Sequence, residues 1–309
     1  MMKKNKIWIT GKGMVGKALI KTLSKDDKYE VISTSRKKLD QTNQKITDNW
    51  IKKNKPDTII ITSALVGGIQ LNSRIPATFL YENSLINLNI INSAHVHGCK
   101  KIVFLGASCM YPKKSKQPFK EQTIFEGKVE ETNEGYGISK LIGLKMIEMI
   151  NQQYNKSHIT IIPAASFGPN DCYDESKNHV IPALIKKIHN AKVKGLKNIK
   201  LWGTGKAKRE FLYVDDMASG IIHILKNYKE ISPINLGTAD EISIKNLAET
   251  IKKIIGYDGK IIFDSSKPEG IKRKILDNTK IKKLNWSPKY SLEDGILLTY
   301  KDFLKKFTH

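Results

Sequence analysis

The tightest constraint on this chain is Gly11-Lys-Gly13-Met-Val-Gly16, set between an apolar run, Ile7–Thr10, and an apolar-patterned stretch from Met14 to about Leu23. Strand, glycine turn and helix in immediate succession is the context that gives a Gly-x-Gly-x-x-Gly its meaning. Gly11 allows the tight turn, Gly13 lets a pyrophosphate approach the backbone, and Gly16 lets the helix pack closely on the strand. The N-terminus of that helix then faces the phosphates of a bound nucleotide.

The pattern repeats along the chain. Strands are predicted at Glu30–Ser35, Asp57–Ser63, Lys101–Leu105 and Thr160–Pro163, with helices at Leu85–His97 and from Gly135 to about Tyr154. The third strand is nearly all apolar, as a strand buried on both faces should be. Strands alternating with helices give an α/β fold, a Rossmann-type doubly wound parallel sheet. After Ser166-Phe-Gly-Pro169 the pattern loosens. Val180–Ala191 reads as a helix, Ile199–Trp202 and Phe211–Val214 as short strands, and Asp215-Asp216 as the cap of a helix running to about Leu225. Ile234–Leu236 resembles a sixth parallel strand, followed by a helix at Ile244–Ile255, a strand at Lys260–Phe263 and a helix at Leu292–Phe307. No linker separates the halves. The expected organisation is a nucleotide domain of residues 1–165 plus about 211–238, with a smaller, interleaved α/β substrate-binding lobe of about 166–210 plus 239–309.

The formal net charge of +23 first suggests a nucleic-acid partner. The lysines, however, are scattered, without interleaved aromatics or a recognisable nucleic-acid module. No nucleic acid is therefore expected, and the charge reads as a solvated surface whose field also favours anionic nucleotides. No apolar run is long enough to span a bilayer, and Met-Met-Lys-Lys-Asn-Lys leads into a strand rather than a signal sequence. A cytoplasmic protein without membrane contact is expected. Cys99, Cys109 and Cys172 are too few and too dispersed for a disulfide framework or a zinc site.

Tyr136 and Lys140 lie four apart on the predicted helix, on one face and about one turn from each other. An ammonium near a phenol lowers the phenol pKa. Such a pair can pass a proton to or from a carbonyl oxygen near neutral pH. Together with the glycine turn it points to hydride chemistry on a carbonyl with a nicotinamide cofactor. At the end of the second strand, where an acidic residue would bind the ribose hydroxyls of NAD, the chain has Ser35-Arg36, with Lys12 in the turn. Two cations there fit the 2′-phosphate of NADP.

With these residues in place, the chain resembles the extended short-chain dehydrogenase/reductases, and within them the GDP-L-fucose synthases, which are GDP-4-keto-6-deoxy-mannose 3,5-epimerase/4-reductases. The resemblance runs from Ile7 to Phe303. It is carried by Gly13-Met-Val-Gly16, Val66-Gly-Gly-Ile69, Ser108-Cys-Met-Tyr-Pro112 and Asn178-His-Val-Ile-Pro-Ala-Leu184. Trp202-Gly-Thr-Gly205, Arg209-Glu-Phe-Leu-Tyr-Val-Asp-Asp-Met217 and Lys267-Pro-Glu-Gly270 complete it. It implies that Tyr136 protonates the sugar C4 oxygen while NADPH delivers hydride, and that Lys140 tunes Tyr136 and holds the nicotinamide ribose. Cys109 and His179 would exchange protons at C3 and C5. Cofactor contacts would come from Gly11, Lys12, Gly13, Met14, Val15, Gly16, Arg36, Leu105, Gly106, Ala107, Lys140, Pro163, Ser166 and His179. Lys187, Trp202, Arg209 and Glu269 would hold the GDP portion of a GDP-linked 4-keto sugar.

Two positions depart from the family pattern, which has serine at Ala107 and asparagine at Ala165. Ser108 is kept as a catalytic candidate, although neighbouring backbone positions point differently. Three outcomes follow: a pocket for a bulkier sugar such as a GDP-4-keto-heptose, reduction with weakened epimerisation, or a slow fucose synthase. The alternatives are a pure 4-reductase acting on a sugar epimerised elsewhere, and a non-catalytic NADP-binding sensor or scaffold. The helices Leu85–His97 and Gly135–Tyr154 carry apolar residues on more than one face (Ile138, Leu141, Ile142, Met146, Met149, Ile150). In this family two such helices per subunit form a four-helix bundle, so a homodimer is expected.

Overall fold

The computed structural model describes residues 3–175, 177–267 and 271–307. In its first half, β1 (Asn5–Ile9), α1 (Met14–Leu23), β2 (Tyr29–Ser33), α2 (Gln44–Asn54) and β3 (Thr58–Ile61) follow one another. Then come α3 (Ile69–Arg74), α4 (Pro76–Val96), β4 (Lys101–Leu105), α5 (Glu134–Tyr154) and β5 (Ile159–Pro163). The second half runs β6 (Ala165–Phe167), α6 (Val180–Val193), β7 (Asn198–Trp202), β8 (Lys208–Arg209), β9 (Phe211–Tyr213), α7 (Val214–Asn227) and β10 (Ile234–Leu236). It closes with β11 (Ile242–Ser243), α8 (Ile244–Ile255), β12 (Lys260–Asp264), β13 (Arg273–Lys274), α9 (Thr279–Lys283) and α10 (Leu292–Phe307).

Six strands form one sheet in the order β10-β5-β4-β3-β1-β2, every pairing parallel. Its centre is apolar on both faces: Ile7, Trp8, Ile9, Ile59, Ile60, Ile61, Ile102, Val103 and Phe104 have no solvent exposure. Each such side chain contributes about 2–3 kcal/mol of burial free energy. Helix α1 packs with α7, while α4 packs with α2 and α5. The chain leaves β1 toward β2 on one side and returns to β3 on the other. The strand order therefore reverses between β1 and β3, the switch point where such sheets bind ligands.

A second buried cluster joins Phe167, Ile185, Ile188, Leu247, Ile251, Ile296 and Phe303, drawn from β6, α6, α8 and α10. Phe211 and Tyr213 of β9 belong to it, whereas Leu276, Ile281 and Trp286 reach back into the first cluster. Small sheets β11-β8-β13 and β12-β7 lie among these elements.

Most predicted elements hold, with ends moved by one or two residues. Three differ more. The helix expected at Leu85–His97 begins at Pro76, which occupies its first turn, where a missing N–H costs nothing. Helix α2 was not expected; it is mostly polar and is capped by Asn43, whose side chain accepts from the Ile46 N–H at 3.0 Å. Asp215 and Asp216 do not cap α7, whose N-cap is Tyr213. Asp215 instead pairs with Lys21, and the buried Asp216 carboxylate accepts from the backbone N–H groups of Lys289 and Tyr290 at 2.9 and 3.0 Å. It ties the segment before α10 to the sheet domain. Among the described residues no helix is long and apolar enough to cross a membrane.

Candidate active site

The glycine turn lies at the carboxyl end of β1, beside β3. The Gly11 N–H donates to Thr62 Oγ1 at 3.0 Å, which fixes the turn against the neighbouring strand. A Cβ on Gly16 would stand 1.9 Å from the Gly11 carbonyl oxygen, so only glycine lets α1 start this close to β1. A Cβ on Gly13 would meet nothing within 4 Å. Gly13 is also the N-cap of α1 and has no side chain to cap it, so the first N–H groups of the helix face open space. That is a cradle for a phosphate, and the residues fit a dinucleotide. Lys12 is exposed beside it, and Met14 and Val15 begin the helix half-buried.

Arg36 follows β2 and is mostly exposed; its guanidinium donates to Glu82 of α4 at 2.6 Å. Both line an open cavity of about 550 Å³, with Asp40 and Tyr81, between the segment after β2 and the first turns of α4. The sequence reading placed Arg36 correctly at the strand end but had no signal for its carboxylate partner, 46 residues away.

At the end of β4, Leu105 and Gly106 lead into a short 3₁₀ turn, Ser108–Met110. Gly106 donates its N–H to the Ile161 carbonyl at 2.8 Å. The buried Lys140 ammonium donates to the Leu105 carbonyl at 2.9 Å, so α5 and the end of β4 are held together by the residue that was singled out for chemistry. Lys140 Nζ lies 5.7 Å from the centroid of the Tyr136 ring and 5.1 Å from that of Phe104. Tyr136 also meets Phe79 edge-on, with centroids 6.2 Å apart.

The electrostatics of the pair correct one expectation. Burial, with a smaller contribution from Cys109, raises the Tyr136 phenol well above its ordinary value. Burial also lowers Lys140 from 10.5 to about 8, against the opposing pull of Cys109. Desolvation outweighs the ammonium, so Tyr136 is a protonated acid at neutral pH, as delivery of a proton requires.

Cys109 is 8% exposed, and its carbonyl lies where a Cβ on Gly137 would approach to 2.9 Å. Burial raises its thiol pKa, with the ammonium groups of Lys274 and Lys140 acting against the rise. His179 is the N-cap of α6; it opens to solvent, and desolvation by the protein beside it lowers its pKa. The His179 segment is anchored to the turn before α3 by the Gly68 N–H, which donates to the Lys177 carbonyl at 3.2 Å. Gly67 in that turn packs on Phe79, the ring that touches Tyr136.

Ala107 and Ser108 are half-buried, while Ala165 is exposed at the start of β6 beside the half-buried Ser166. Pro163 ends β5. Lys187 is exposed on α6, and Trp202 is 51% exposed at the end of β7. Arg209 is on β8, where its guanidinium donates to the Lys208 carbonyl at 2.8 Å. Glu269 and most of the Lys267–Gly270 segment lie outside the described residues. The sequence reading missed Thr62, which fixes the glycine turn, and the buried Lys274, whose charge opposes the rise of the Cys109 thiol pKa. A hydroxyl closing a buried strand gives a weak signal for the first. Nothing local marks the second among 53 lysines and arginines.

Known proteins resemble this chain over nearly its whole length. Residues 7–237 match the NAD dependent epimerase/dehydratase family. The chain is 41% identical over 300 residues to a GDP-L-fucose synthase of Sinorhizobium fredii, covering 97% of this chain and 95% of the relative. It is 39% identical to a GDP-L-colitose synthase of Yersinia pseudotuberculosis, covering 97% and 98% of the two chains. Among solved structures, a GDP-6-OMe-4-keto-L-xylo-heptose reductase from C. jejuni superposes with a TM-score of 0.93 at 32% identity, covering 99% of both chains.

Proposed function

From a chain that belongs to the NAD dependent epimerase/dehydratase family, and within it to the GDP-L-fucose synthases, we infer an NADPH-dependent reductase of a GDP-linked 4-keto sugar that also exchanges the protons at C3 and C5. The observation that carries this reading is the packing of Tyr136, Lys140 and the Cys109 turn at the end of β4, with an open phosphate cradle at the end of β1 in the same sheet.

Bound NADPH supplies the hydride that becomes the hydrogen on C4. As the C4 carbonyl electrons move onto oxygen, Tyr136 donates its hydroxyl proton to that oxygen. The phenolate left behind is stabilised by the Lys140 ammonium, whose direction is fixed by the Leu105 carbonyl. The protons at C3 and C5 are acidic because each lies next to the carbonyl. Inversion there needs a base on one face of the ring and an acid on the other, the roles of Cys109 and His179. Lys12, Gly13 and the first turn of α1 would hold the cofactor diphosphate, and Arg36 the 2′-phosphate. Leu105, Gly106, Ala107, Pro163 and Ser166 would border the nicotinamide. Lys187, Trp202, Arg209 and Glu269 are the proposed grip on GDP.

Two substrates fit, GDP-4-keto-6-deoxy-mannose and a bulkier GDP-4-keto-heptose. Alanine at 107 and 165 favours the bulkier sugar, because both side chains lack polar atoms and volume where the family has serine and asparagine. We assign residues 1–165 plus 211–238 to the cofactor domain and 166–210 plus 239–309 to the sugar-nucleotide lobe; the two buried clusters follow this division except that Phe211 and Tyr213 pack in the second and Leu276, Ile281 and Trp286 in the first. We also propose a homodimer. On α4, Tyr81, Leu85, Leu88 and Val96 are exposed or half-buried, as are Ile138, Leu141, Ile142, Met146 and Met149 on α5; Ile150 is buried inward. Such a pair of apolar stripes fits a four-helix bundle about a twofold axis.

The test is product analysis by mass spectrometry and NMR after incubation with NADPH and each 4-keto sugar. NADPH consumption with C4-reduced product from either sugar is expected. Absence of consumption with both, by folded protein that binds NADPH, would favour the sensor or scaffold reading.

A further inference from the structure

One cation in the sugar-nucleotide lobe has no task in the reaction as written. Lys274 lies on β13, which runs parallel to β8 with Arg273 opposite Lys208 and Lys274 opposite Arg209. Residues in register on neighbouring strands stand about 5 Å apart and share a face, while successive residues alternate between faces. The first pair fixes which face is which. Lys208 Nζ and Arg273 Nε both reach the Glu241 carboxylate, at 2.9 and 2.5 Å. Arg209 and Lys274 therefore stand side by side on the opposite face. Both are half-buried.

Like charges directly opposite each other on a sheet repel, yet the fold ties these two strands firmly. Gln117 donates from Nε2 to the Arg273 carbonyl at 2.6 Å and accepts from the Ile275 N–H at 3.1 Å. The buried Glu210 carboxylate, next to Arg209, accepts from the Leu276 N–H at 2.9 Å, the Ala239 N–H at 2.7 Å and the Asn278 amide at 3.0 Å. None of these ties gives Lys274 a counter-charge. Among the described residues its ammonium makes no ion pair and no hydrogen bond. Burial lowers its pKa and Arg209 adds to the fall; Cys109 and Glu130 oppose it, and Glu130 already lies 3.5 Å from Lys113. A desolvated ammonium held beside a guanidinium without an anion is unfavourable. An anionic ligand seated across both cations removes that penalty through charge-assisted hydrogen bonds.

We propose that Lys274 and Arg209 form a two-cation clamp on the diphosphate of the GDP-linked sugar, with Lys274 on the phosphate nearer the sugar. The proposal rests on the reading above that Arg209 grips GDP. The sheet order β11-β8-β13 puts Lys274 on an edge strand. The chain beyond that edge runs against the Cys109 turn: the Phe119 N–H donates to the Ile275 carbonyl at 2.9 Å, and Phe119 stacks on Tyr111 at 4.8 Å, two residues after Cys109. Lys274 is thus the member of the pair on the side of the reacting sugar. The planar guanidinium suits two oxygens of one phosphate, and the ammonium serves as a point charge for the other. Held by rigid strands, the pair would fix the sugar end of the substrate while the nucleoside end is gripped elsewhere.

The test uses the full-length protein, with GDP and UDP binding measured by isothermal titration calorimetry, NADPH binding by fluorescence, and the ligand-free melting midpoint by scanning fluorimetry. Lys274→Met is expected to weaken GDP about tenfold or more and to leave NADPH affinity unchanged. Lys274→Arg should restore most of the GDP affinity. The ligand-free midpoint gives a second reading of opposite sign. Removing one of two like charges that lack an anion should raise the midpoint in Lys274→Met, whereas loss of an ion pair within the fold would lower it. GDP affinity equal to the parent's, a lower midpoint, or a Lys274→Arg variant that binds GDP like Lys274→Met overturns the proposal. A parent protein that prefers UDP to GDP, with both weakened by Lys274→Met, would refute the GDP reading and leave the clamp standing.

Discussion

Gly13 and Gly16 are both glycines of one turn, but the structure gives them separable tasks. At Gly16 an added methyl carbon would lie 1.9 Å from the Gly11 carbonyl oxygen and 2.8 Å from its carbon. Both are backbone atoms, held by the hydrogen bond from Gly11 to Thr62, so neither can rotate away. To reach a merely tight contact α1 must retreat from β1 by about 1 Å, a forced repacking that typically costs about 1–3 kcal/mol. Gly16→Ala should therefore lower the melting midpoint by about 1.5–5 °C and weaken NADPH binding together with it. Gly13 has an ordinary φ of −71° and open space around its Cβ position. Gly13→Ala should fold and melt like the parent, yet hold the diphosphate farther from the helix N-terminus and weaken NADPH about tenfold, which is about 1.4 kcal/mol. The assays are differential scanning fluorimetry without ligand and titration of NADPH fluorescence. A Gly13→Ala protein with parental affinity, or a Gly16→Ala protein with the parental midpoint, would refute this account of the turn.

Arg36→Ala should raise the Michaelis constant for NADPH at least about tenfold and leave NADH nearly unchanged. Glu82→Gln, by freeing Arg36 from its 2.6 Å partner, should lower the NADPH constant by up to about fivefold; a rise would contradict the pairing. Tyr136→Phe should cut reduction by about 10²–10⁴-fold with NADPH affinity kept, and equal loss of both would point to misfolding instead. Lys140 titrates near 8 when folded and near 10.5 when unfolded. Between those values the unfolded chain binds more protons, so this group makes the ligand-free fold more stable as pH rises from about 8 to 10.5 and less stable below. Lys140→Met should flatten that rise in urea unfolding at pH 7.5, 9 and 10.5, and an undiminished rise would assign it to other groups. The dimer is checked by light scattering at micromolar concentration, where a monomer mass would count against it.

Much of the scaffold was legible because the signals were local. The glycine turn is written in six consecutive residues, and Tyr136 and Lys140 share a helix whose apolar pattern continues to Tyr154. The sixth strand, Ile234–Leu236, could be read from its apolar run and from the alternation before it. Helix α2 could not, since its buried side is only Thr47 and Ile51 with Trp50 half-buried, and its cap alone announces it. The start of α4 was hidden by polar residues such as Asn83, whose buried amide is satisfied by the Leu65 and Phe79 carbonyls, contacts that no local pattern encodes. The site divides the same way. Tyr136 could be singled out, but the direction of its pKa shift could not, because spacing reports which charge is near and not how much water is removed. Lys274 is placed by a two-residue strand pairing with β8 and by Gln117, more than 150 residues earlier.

The central claim, direct C4 reduction of a GDP-4-keto sugar with Tyr136 as the acid, meets its most direct test with NADPH deuterated at the nicotinamide C4. In ordinary water, with GDP-4-keto-6-deoxy-mannose and the bulkier GDP-4-keto-heptose offered separately, the account predicts a product bearing one deuterium at sugar C4, and none from Tyr136→Phe. Oxidation of the cofactor without deuterium at C4, or labelled product formed undiminished by Tyr136→Phe, would contradict it.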